Sequence, residues 1–294
     1  MSPSSPERLL RSLHPRRLAE RLIADRLGVA LYPDRLVLTR VSGGLRRRLK
    51  HKETQGFAAA APGSAPWQPA LDALAAALAA GALANAELTV VLSSHFARYV
   101  MVPASAELSG REEEEAFARH CFERIYGSQT DDWVIKLSEA GAKRARLACA
   151  IERGLADALA LCLASLKARY RSLQPQLMAG FNQVRAGLGA QPAWLVVAEP
   201  GLVCLARLHD GQWQSVTAQK VGADWQRELP GLITREECLI DCDSACERVL
   251  VLAPDAAGAS LPQAGARRFE VLQPAALPGL GAELEPCYRI ALGA

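Results

Sequence analysis

The sequence predicts an α/β protein built as two similar lobes, and three observations carry that expectation. The first is the stretch VALYPDRLVLTRVSGG, residues 29–44, which reads as two short strands joined by a Tyr32-Pro33-Asp34-Arg35 turn. Proline presets the turn, aspartate tolerates it, and the flanking residues are apolar and β-branched. The second is an echo of this stretch 167 positions later (200 minus 33). Without a gap, Pro33 meets Pro200, Leu38 meets Leu205, Arg40 meets Arg207 and Gly44 meets Gly211. An offset of that length is too long for a solenoid and fits two lobes that each open with a hairpin. Such identities also fit two unrelated hairpins that share a turn proline. The third is the order of patterns, strand-strand-strand-helix-strand in each half, which is that of a mixed sheet with helices on its faces.

At 294 residues, half of them hydrophobic, the chain has room for two domains and a substantial core. The least charged runs, 57–71 and 73–86, are filled with Pro, Gly and Ala and do not make a membrane span. No secretory leader is visible, so the eight cysteines are expected as free thiols in a reducing cytoplasm. Net charge is +3 and uneven: residues 1–56 hold 13 Lys or Arg against 5 Asp or Glu, a surplus of 8. Such asymmetry marks a surface that meets something acidic, whether lipid, protein or nucleic acid.

Taken in order, residues 1–28 read as a basic arm. His14-Pro15 opens a helix with Leu18, Leu22, Ile23 and Leu27 on one face, either docked on the body or lying on a membrane or partner. After the hairpin, Leu45 to Thr54 is a basic strand suited to a sheet edge. It lacks interleaved aromatics and any accompanying nucleic-acid motif. Residues 56–68 form a loop, Pro69 to Leu83 an Ala-rich helix, Leu88 to Ser93 a buried strand and Phe96 to Val102 its partner. Ser109 and Glu112 make a capping box for a helix whose first turn holds Glu112 to Glu115, where the helix dipole favours acids. Trp133 to Leu137 and Arg146 to Ile151 are a strand pair, followed by helices Leu155 to Tyr170 and Gln176 to Leu188. Trp194 opens the second hairpin, with Trp213 to Val221 as its third strand. Helices over 223–229 and 234–239, separated by Pro230, precede strands at 248–252, 269–272 and 288–292.

Chemistry-bearing motifs are sparse. Cys238, Cys242 and Cys246 recur every four residues, but zinc sites favour Cys-x2-Cys and a fourth ligand, so no metal is expected. Ser93-Ser94-His95 is the nearest approach to a nucleophile with a base, and nothing supplies a third group.

Two lobes that each open with a three-stranded meander resemble the actin, Hsp70 and sugar-kinase superfamily. The run Leu88-Thr89-Val90-Val91-Leu92-Ser93, then Arg98-Tyr99-Val100-Met101-Val102-Pro103, then the acidic helix, resembles PilM-type proteins. Ser172-Leu173-Gln174-Pro175-Gln176-Leu177-Met178-Ala179-Gly180-Phe181-Asn182 is similar to the inter-lobe join of the MshI branch, and the cytoplasmic part of GspL is a further relative. The resemblance implies a two-lobed actin-like (RNase H-like) fold with a small βαββ insertion in the first lobe and a truncated second lobe. It divides the chain into an arm (1–28), a first lobe (29–190) with an inserted subdomain (88–151), and a second lobe (191–294). It also implies a cytoplasmic component, peripheral at the inner membrane, of a type IV pilus or type II secretion platform. That component would hold the cytoplasmic tail of a PilN-like membrane protein and connect to a motor ATPase. The expected tail groove lies between the first lobe's sheet and the insertion, near Arg98, Val100, Val102, Phe117 and Phe122.

Several members of that family bind ATP between the lobes, through turns of Asp-x-Gly type followed by Ser or Thr. This sequence departs there. The turns read Tyr32-Pro33-Asp34-Arg35 and Glu199-Pro200-Gly201-Leu202, and the strand Asp is replaced near Ala30. Proline has no N–H to give a phosphate, and Glu199 brings negative charge. The adenosine loop, Ala253-Pro254-Asp255-Ala256-Ala257-Gly258, lacks the usual glycine pair. Pro33, Asp34, Glu199, Pro200 and Gly201 are thus read as degenerate phosphate-loop positions. The expectation is a non-enzymatic scaffold without cofactor and without nucleic acid. An ATP-binding kinase or ATPase of the same fold, and a basic nucleic-acid-binding regulator, stand as alternatives.

Overall fold

The computed structural model describes residues 24–294, apart from 45–46, 81–85, 106, 109, 139–143, 165–168, 241–245, 256–260, 263–264, 276, 278, 281–283 and 294. The predicted basic arm lies outside the described residues as far as residue 23. Its last part is strand, not helix: β1 runs Asp25–Leu31. Leu27, expected on a helical face, is buried in a strand paired on both sides, opposite Arg40 and Leu88. Two ladders of backbone hydrogen bonds outweigh a helical side-chain pattern of four leucine-like residues.

The first lobe's sheet adds β2 (Arg35–Val41), β3 (Leu49–Gly56), β4 (Ala86–Leu92) and β8 (Arg169–Pro175), in the order β3-β2-β1-β4-β8. β3 is the exposed basic edge strand the sequence predicts. Its cations are neutralised: Lys50 pairs with Asp25 and Lys52 with Glu285, both at 2.8 Å. Helix α1 (Gln68–Ala79) covers one face of this sheet through Leu71 and Leu74.

The inserted unit has the predicted βαββ order: β5 (Ala97–Val102), α2 (Arg111–Tyr126), β6 (Trp133–Leu137) and β7 (Arg146–Glu152), with sheet order β5-β7-β6. β5 is not the partner of β4. It pairs antiparallel with β7, while β4 lies between β1 and β8, so the unit's strands begin at Ala97 rather than 88. Ser93 to Phe96 form the turn that redirects the chain, with Phe96 N–H donating to Ser93 O. Ser109 of the predicted capping box lies outside the described residues, and Gly110 is the N-cap with no side-chain bond. Within the acidic first turn, Glu114 accepts from Arg146 at 2.9 Å and ties α2 to β7. Helix α3 (Arg153–Ala164) ends before Tyr170, which is in β8. Parallel pairing of β8 with β4, Leu173 opposite Val90, supersedes the helical spacing.

The second lobe repeats the first. β9 (Ala193–Glu199), β10 (Leu202–His209), β11 (Gln212–Lys220), β12 (Arg248–Leu252) and β13 (Arg268–Val271) lie in the order β11-β10-β9-β12-β13. The two turns matched by the sequence echo occupy the same corner of each sheet. Residues 225–239, expected as two helices, form one: α5 (Trp225–Leu239) runs through Pro230. An interior proline costs about 3 kcal/mol, and burial of Trp225, Leu229 and Ile233 on one face offsets it.

Two helices cross between the lobes. α4 (Gln176–Leu188) follows the first sheet but packs on β9, where the α-carbon of Gly180 leaves so little room that an added Cβ would lie 2.8 Å from Leu252 Cδ2. The last element, expected as a strand at 288–292, is helix α6 (Pro286–Ala291), with Pro286 in its first turn. It returns to cover β1, β2 and β4 of the first lobe. Contact is backbone to backbone: a Cβ on Gly28 would fall 2.4 Å from Ala291 O. Between the sheets runs one apolar core containing Val37, Val91, Tyr99, Leu177, Val197, Leu252 and Ile290, while each lobe keeps a second core on its outer face.

Candidate functional site: the seam between the lobes

The seam is built where strands end. β1 turns into β2 through Tyr32 to Arg35, β9 turns into β10 through Glu199 to Leu202, and β4 and β12 end beside them at Ser93 and Ala253. Strand ends of a twisted sheet expose backbone groups toward the same crevice, where ligands of α/β proteins gather.

Across the seam the corners meet reciprocally. The second lobe's turn meets the end of β4. Glu199 is buried, and its carboxylate accepts from Ser93 Oγ at 2.5 Å and from the Ser94 N–H at 2.8 Å. Beside it, His95 Nε2 donates to Pro200 O at 2.9 Å, and Ser94 Oγ lies 3.2 Å from the buried Tyr99 hydroxyl. Burial pushes the Glu199 carboxyl above its usual range, against the pull of the Ser93 and Ser94 bonds. Burial first, then the Glu199 charge, raises the Cys204 thiol, and burial alone pushes Cys149 up to about 12, so both stay as unreactive thiols.

The first lobe's turn meets the end of β12. Arg35 Nη2 pairs with Asp255 at 2.7 Å, Nη1 with Asp34 at 3.1 Å, and the guanidinium lies 4.0 Å over the Tyr32 ring. Tyr32 is fully buried and donates to Gln176 Oε1 at 2.9 Å. Burial first, then the charges of Glu199 and Asp255, holds its hydroxyl well above the usual range, so it stays protonated. Gln176 Nε2 is buried with no acceptor among the described residues.

The groups in the seam do not fit a triphosphate. Its two corners present prolines without N–H, and the second presents a carboxylate already satisfied by two donors. Arg35, the cation nearest the first turn, is engaged by two carboxylates. Asp34 is exposed and salt-bridged to its neighbour rather than aimed into the seam. Of the sequence-predicted positions, the structure brings together Glu199 and Pro200 with Ser93-Ser94-His95. Ser93 Oγ is occupied by Glu199 and by the His95 N–H. Tyr32, Arg35, Gln176 and Asp255 were not singled out by the sequence. Arg35 and Asp255 lie 220 residues apart, and no local pattern connects them.

The five residues expected near a tail groove are placed differently. Val100, Val102 and Phe122 are 4 %, 0 % and 0 % exposed and form the inserted unit's own core with Trp133 and Ala148, so their side chains have no surface to offer. Phe117 packs against that core, and Arg98 Nη1 donates to the carbonyls of His95 and Ala97. β-strand alternation alone does not say which face is inner. An apolar groove of about 400 Å³ instead lies between α1 and α3, lined by Leu71, Ala75, Leu78, Ala158, Leu161 and Cys162, with Leu161 77 % exposed. As for the thiols, Cys242 lies outside the described residues. α5 ends at Leu239, and Cys246 is buried before β12 with its Sγ donating to Arg248 O, so Cys238 and Cys246 share no helical face. Among the described residues no cluster suited to a metal occurs, and no helix is long and apolar enough to cross a membrane.

No family model matches the chain, and no curated relative matches it. Solved structures do. A PilM-PilN type IV pilus biogenesis complex aligns with TM-score 0.65 at 15 % identity, covering 93 % of this chain and 97 % of that one. The cytoplasmic domain of EpsL, an inner membrane component of the type II secretion system of Vibrio cholerae, aligns with TM-score 0.56 at 12 % identity, covering 86 % and 90 %. A Bacteroides thetaiotaomicron protein with actin-like ATPase fold aligns with TM-score 0.52 at 9 % identity, covering 81 % and 84 %. With two sheets of one topology, a βαββ insertion and helices exchanged across the seam, the chain has the actin-like ATPase fold.

Proposed function

We propose that this chain is a non-catalytic actin-like scaffold, a PilM/MshI-like component of a type IV pilus or type II secretion inner-membrane platform, that holds the cytoplasmic tail of a PilN-like membrane protein. The observation that carries the non-catalytic part is the doubly closed seam. Opening it for a nucleotide would strip the buried Glu199 of both donors and leave it facing a polyphosphate. The partner rests on the solved complex that is similar over nearly the whole chain. The location, in the cytoplasm and peripheral at the inner membrane, rests on that complex and on the secretion-system domain.

The α1–α3 groove suits the tail better than the five buried or self-bonded positions. It sits where the insertion's last strand returns to the first lobe, its walls are leucine and alanine, and Asp72 and Gln68 lie at its rim. Covering one exposed leucine contributes about 2 kcal/mol, so anchoring side chains of an amphipathic tail would find their energy there. The experiment is calorimetry of the purified protein with ATP and magnesium, and with a synthetic cytoplasmic tail of a PilN-like protein. Tail binding, at least tenfold weaker in Leu161→Asp, with no heat from ATP, is the expected result. Micromolar ATP affinity overturns the scaffold reading, and tail affinity untouched by L161D overturns the groove.

A further inference from the structure

The lysines and arginines of β2 and β3 are all paired. Arg35, Arg40, Lys50 and Lys52 each have a carboxylate at 2.7 to 2.8 Å. Arg26 and Arg47 have neither a hydrogen-bond nor an ion-pair partner among the described residues. Yet they sit together, on the walls of a cavity of about 130 Å³ at the far end of β1 from the seam. Its other walls are Asn182 and Gln183 of α4, Val41, and Leu277, Leu292 and Gly293 of the returning chain. Gln183 Nε2 donates to Gly293 O at 2.5 Å and fixes that wall.

Unneutralised guanidiniums in a half-buried notch are costly. Burial, then repulsion from Arg47 and Arg171, holds Arg26 below its usual proton affinity, and the opposing pull of Glu87 is weaker than either. Natural folds leave such an arrangement where an anion completes it. Guanidinium forks match the oxygens of a tetrahedral oxyanion, and the Asn182 amide adds neutral donors. The cavity approaches the roughly 150 Å³ that holds a benzene, which is room for one phosphate group and not for a nucleotide.

We propose that this notch, built by Arg26, Arg47 and Asn182, binds a phosphate group, carried either by a soluble phosphate ester or by an anionic phospholipid headgroup. The site is separate from the seam and from the α1–α3 groove, and does not depend on the scaffold reading. The test uses the full chain with two probes: inorganic phosphate, followed by thermal midpoint and calorimetry, and phosphatidylglycerol vesicles against phosphatidylcholine vesicles, followed by co-sedimentation. Saturable binding of either probe, weakened at least tenfold in Arg26→Gln and in Arg47→Gln and unchanged in Lys136→Gln, is the expected result, and the probe that binds identifies the source. Lys136, exposed on β6, carries the same single charge. Should Arg26→Gln fail to fold, Arg47→Gln decides. Binding of neither probe, binding that persists in the arginine variants, or equal loss in Lys136→Gln overturns the proposal.

Discussion

The two corners of the seam occupy equivalent places in equivalent sheets and close it with different chemistry. In one, a buried carboxylate is satisfied by a hydroxyl and a backbone N–H of the other lobe. In the other, a guanidinium stacked on a tyrosine reaches a carboxylate of the other lobe, and both partners keep some contact with water. The helices that cross the seam differ in the same way. α6 meets β1 backbone against backbone at Gly28, whereas α4 meets the second lobe through the tip of a leucine. A duplicated frame therefore carries one rigid and one yielding version of each joint. The rigid versions are the Glu199 corner and the α6 contact.

The contrast at the helices predicts the largest difference. Gly28→Ala forces its methyl into the Ala291 carbonyl and has to displace α6, so it should cost about 3 kcal/mol or fail to fold. Gly180→Ala meets a movable Leu252 methyl and gains helix propensity, so it should change stability by no more than about 1 kcal/mol. Urea titration of both variants checks the pair, and equal losses would erase the distinction. Next comes the Glu199 corner. Glu199→Ala strands two donors, a hydroxyl and an N–H, each worth about 1 to 3 kcal/mol when left buried without a partner. A loss near 3 kcal/mol is expected by the same titration. At the other corner Arg35→Ala removes an ion pair whose members are 15 % and 24 % exposed. About 1.5 kcal/mol is expected, with a coupling to Asp255→Asn that a double-mutant cycle reads directly.

The smallest effect is a pH slope. Glu199 takes up a proton more readily in the folded protein than at its ordinary value of 4.5. Above that value the folded state therefore holds more protons than the unfolded one at this site, and its contribution falls as pH rises, until the raised folded value is passed. Asp255 is raised for the same reason, burial, and slopes the same way. Asp25 and Glu285 are held low by their cations, and Glu237 by the Trp194 N–H and then Arg267, so all three slope oppositely. The readout is thus the difference between the parent and Glu199→Gln: the gap in stability should narrow or reverse in favour of glutamine as pH rises from 4.5. A constant gap would mean that Glu199 titrates as if exposed.

Much of the frame was legible in the residues. The offset echo marked both corners because turns need particular residues at particular places, and Pro33 and Pro200 mark them still. Short apolar runs likewise marked β5, β6, β7 and β12. What escaped was decided by distance. Whether Tyr170 sits in helix or strand depends on pairing with β4, and whether Tyr288 does depends on Pro286 and on the surface α6 covers. Glu199 was visible as a misplaced charge, but its donors are 105 and 106 residues away. Val100, Val102 and Phe122 were seen as apolar, and apolarity alone does not distinguish a core from a docking surface. Gly28 was hidden by its reading as the end of a helical arm; only as part of β1 does it become an isolated glycine inside a strand, the kind that marks close backbone approach.

That approach also sets a schedule for the cell. Ala291 follows Gly28 by 263 residues (291 minus 28), so a ribosome working at about 5 to 20 residues per second needs on the order of tens of seconds between the strand and its cover. Throughout that interval the inner face of the first sheet, with Ala30, Val37 and Val91, lacks the part of its apolar cover that α6 supplies. A nascent chain of this protein is a natural client for a holding chaperone, and premature termination would release a sheet with no lid.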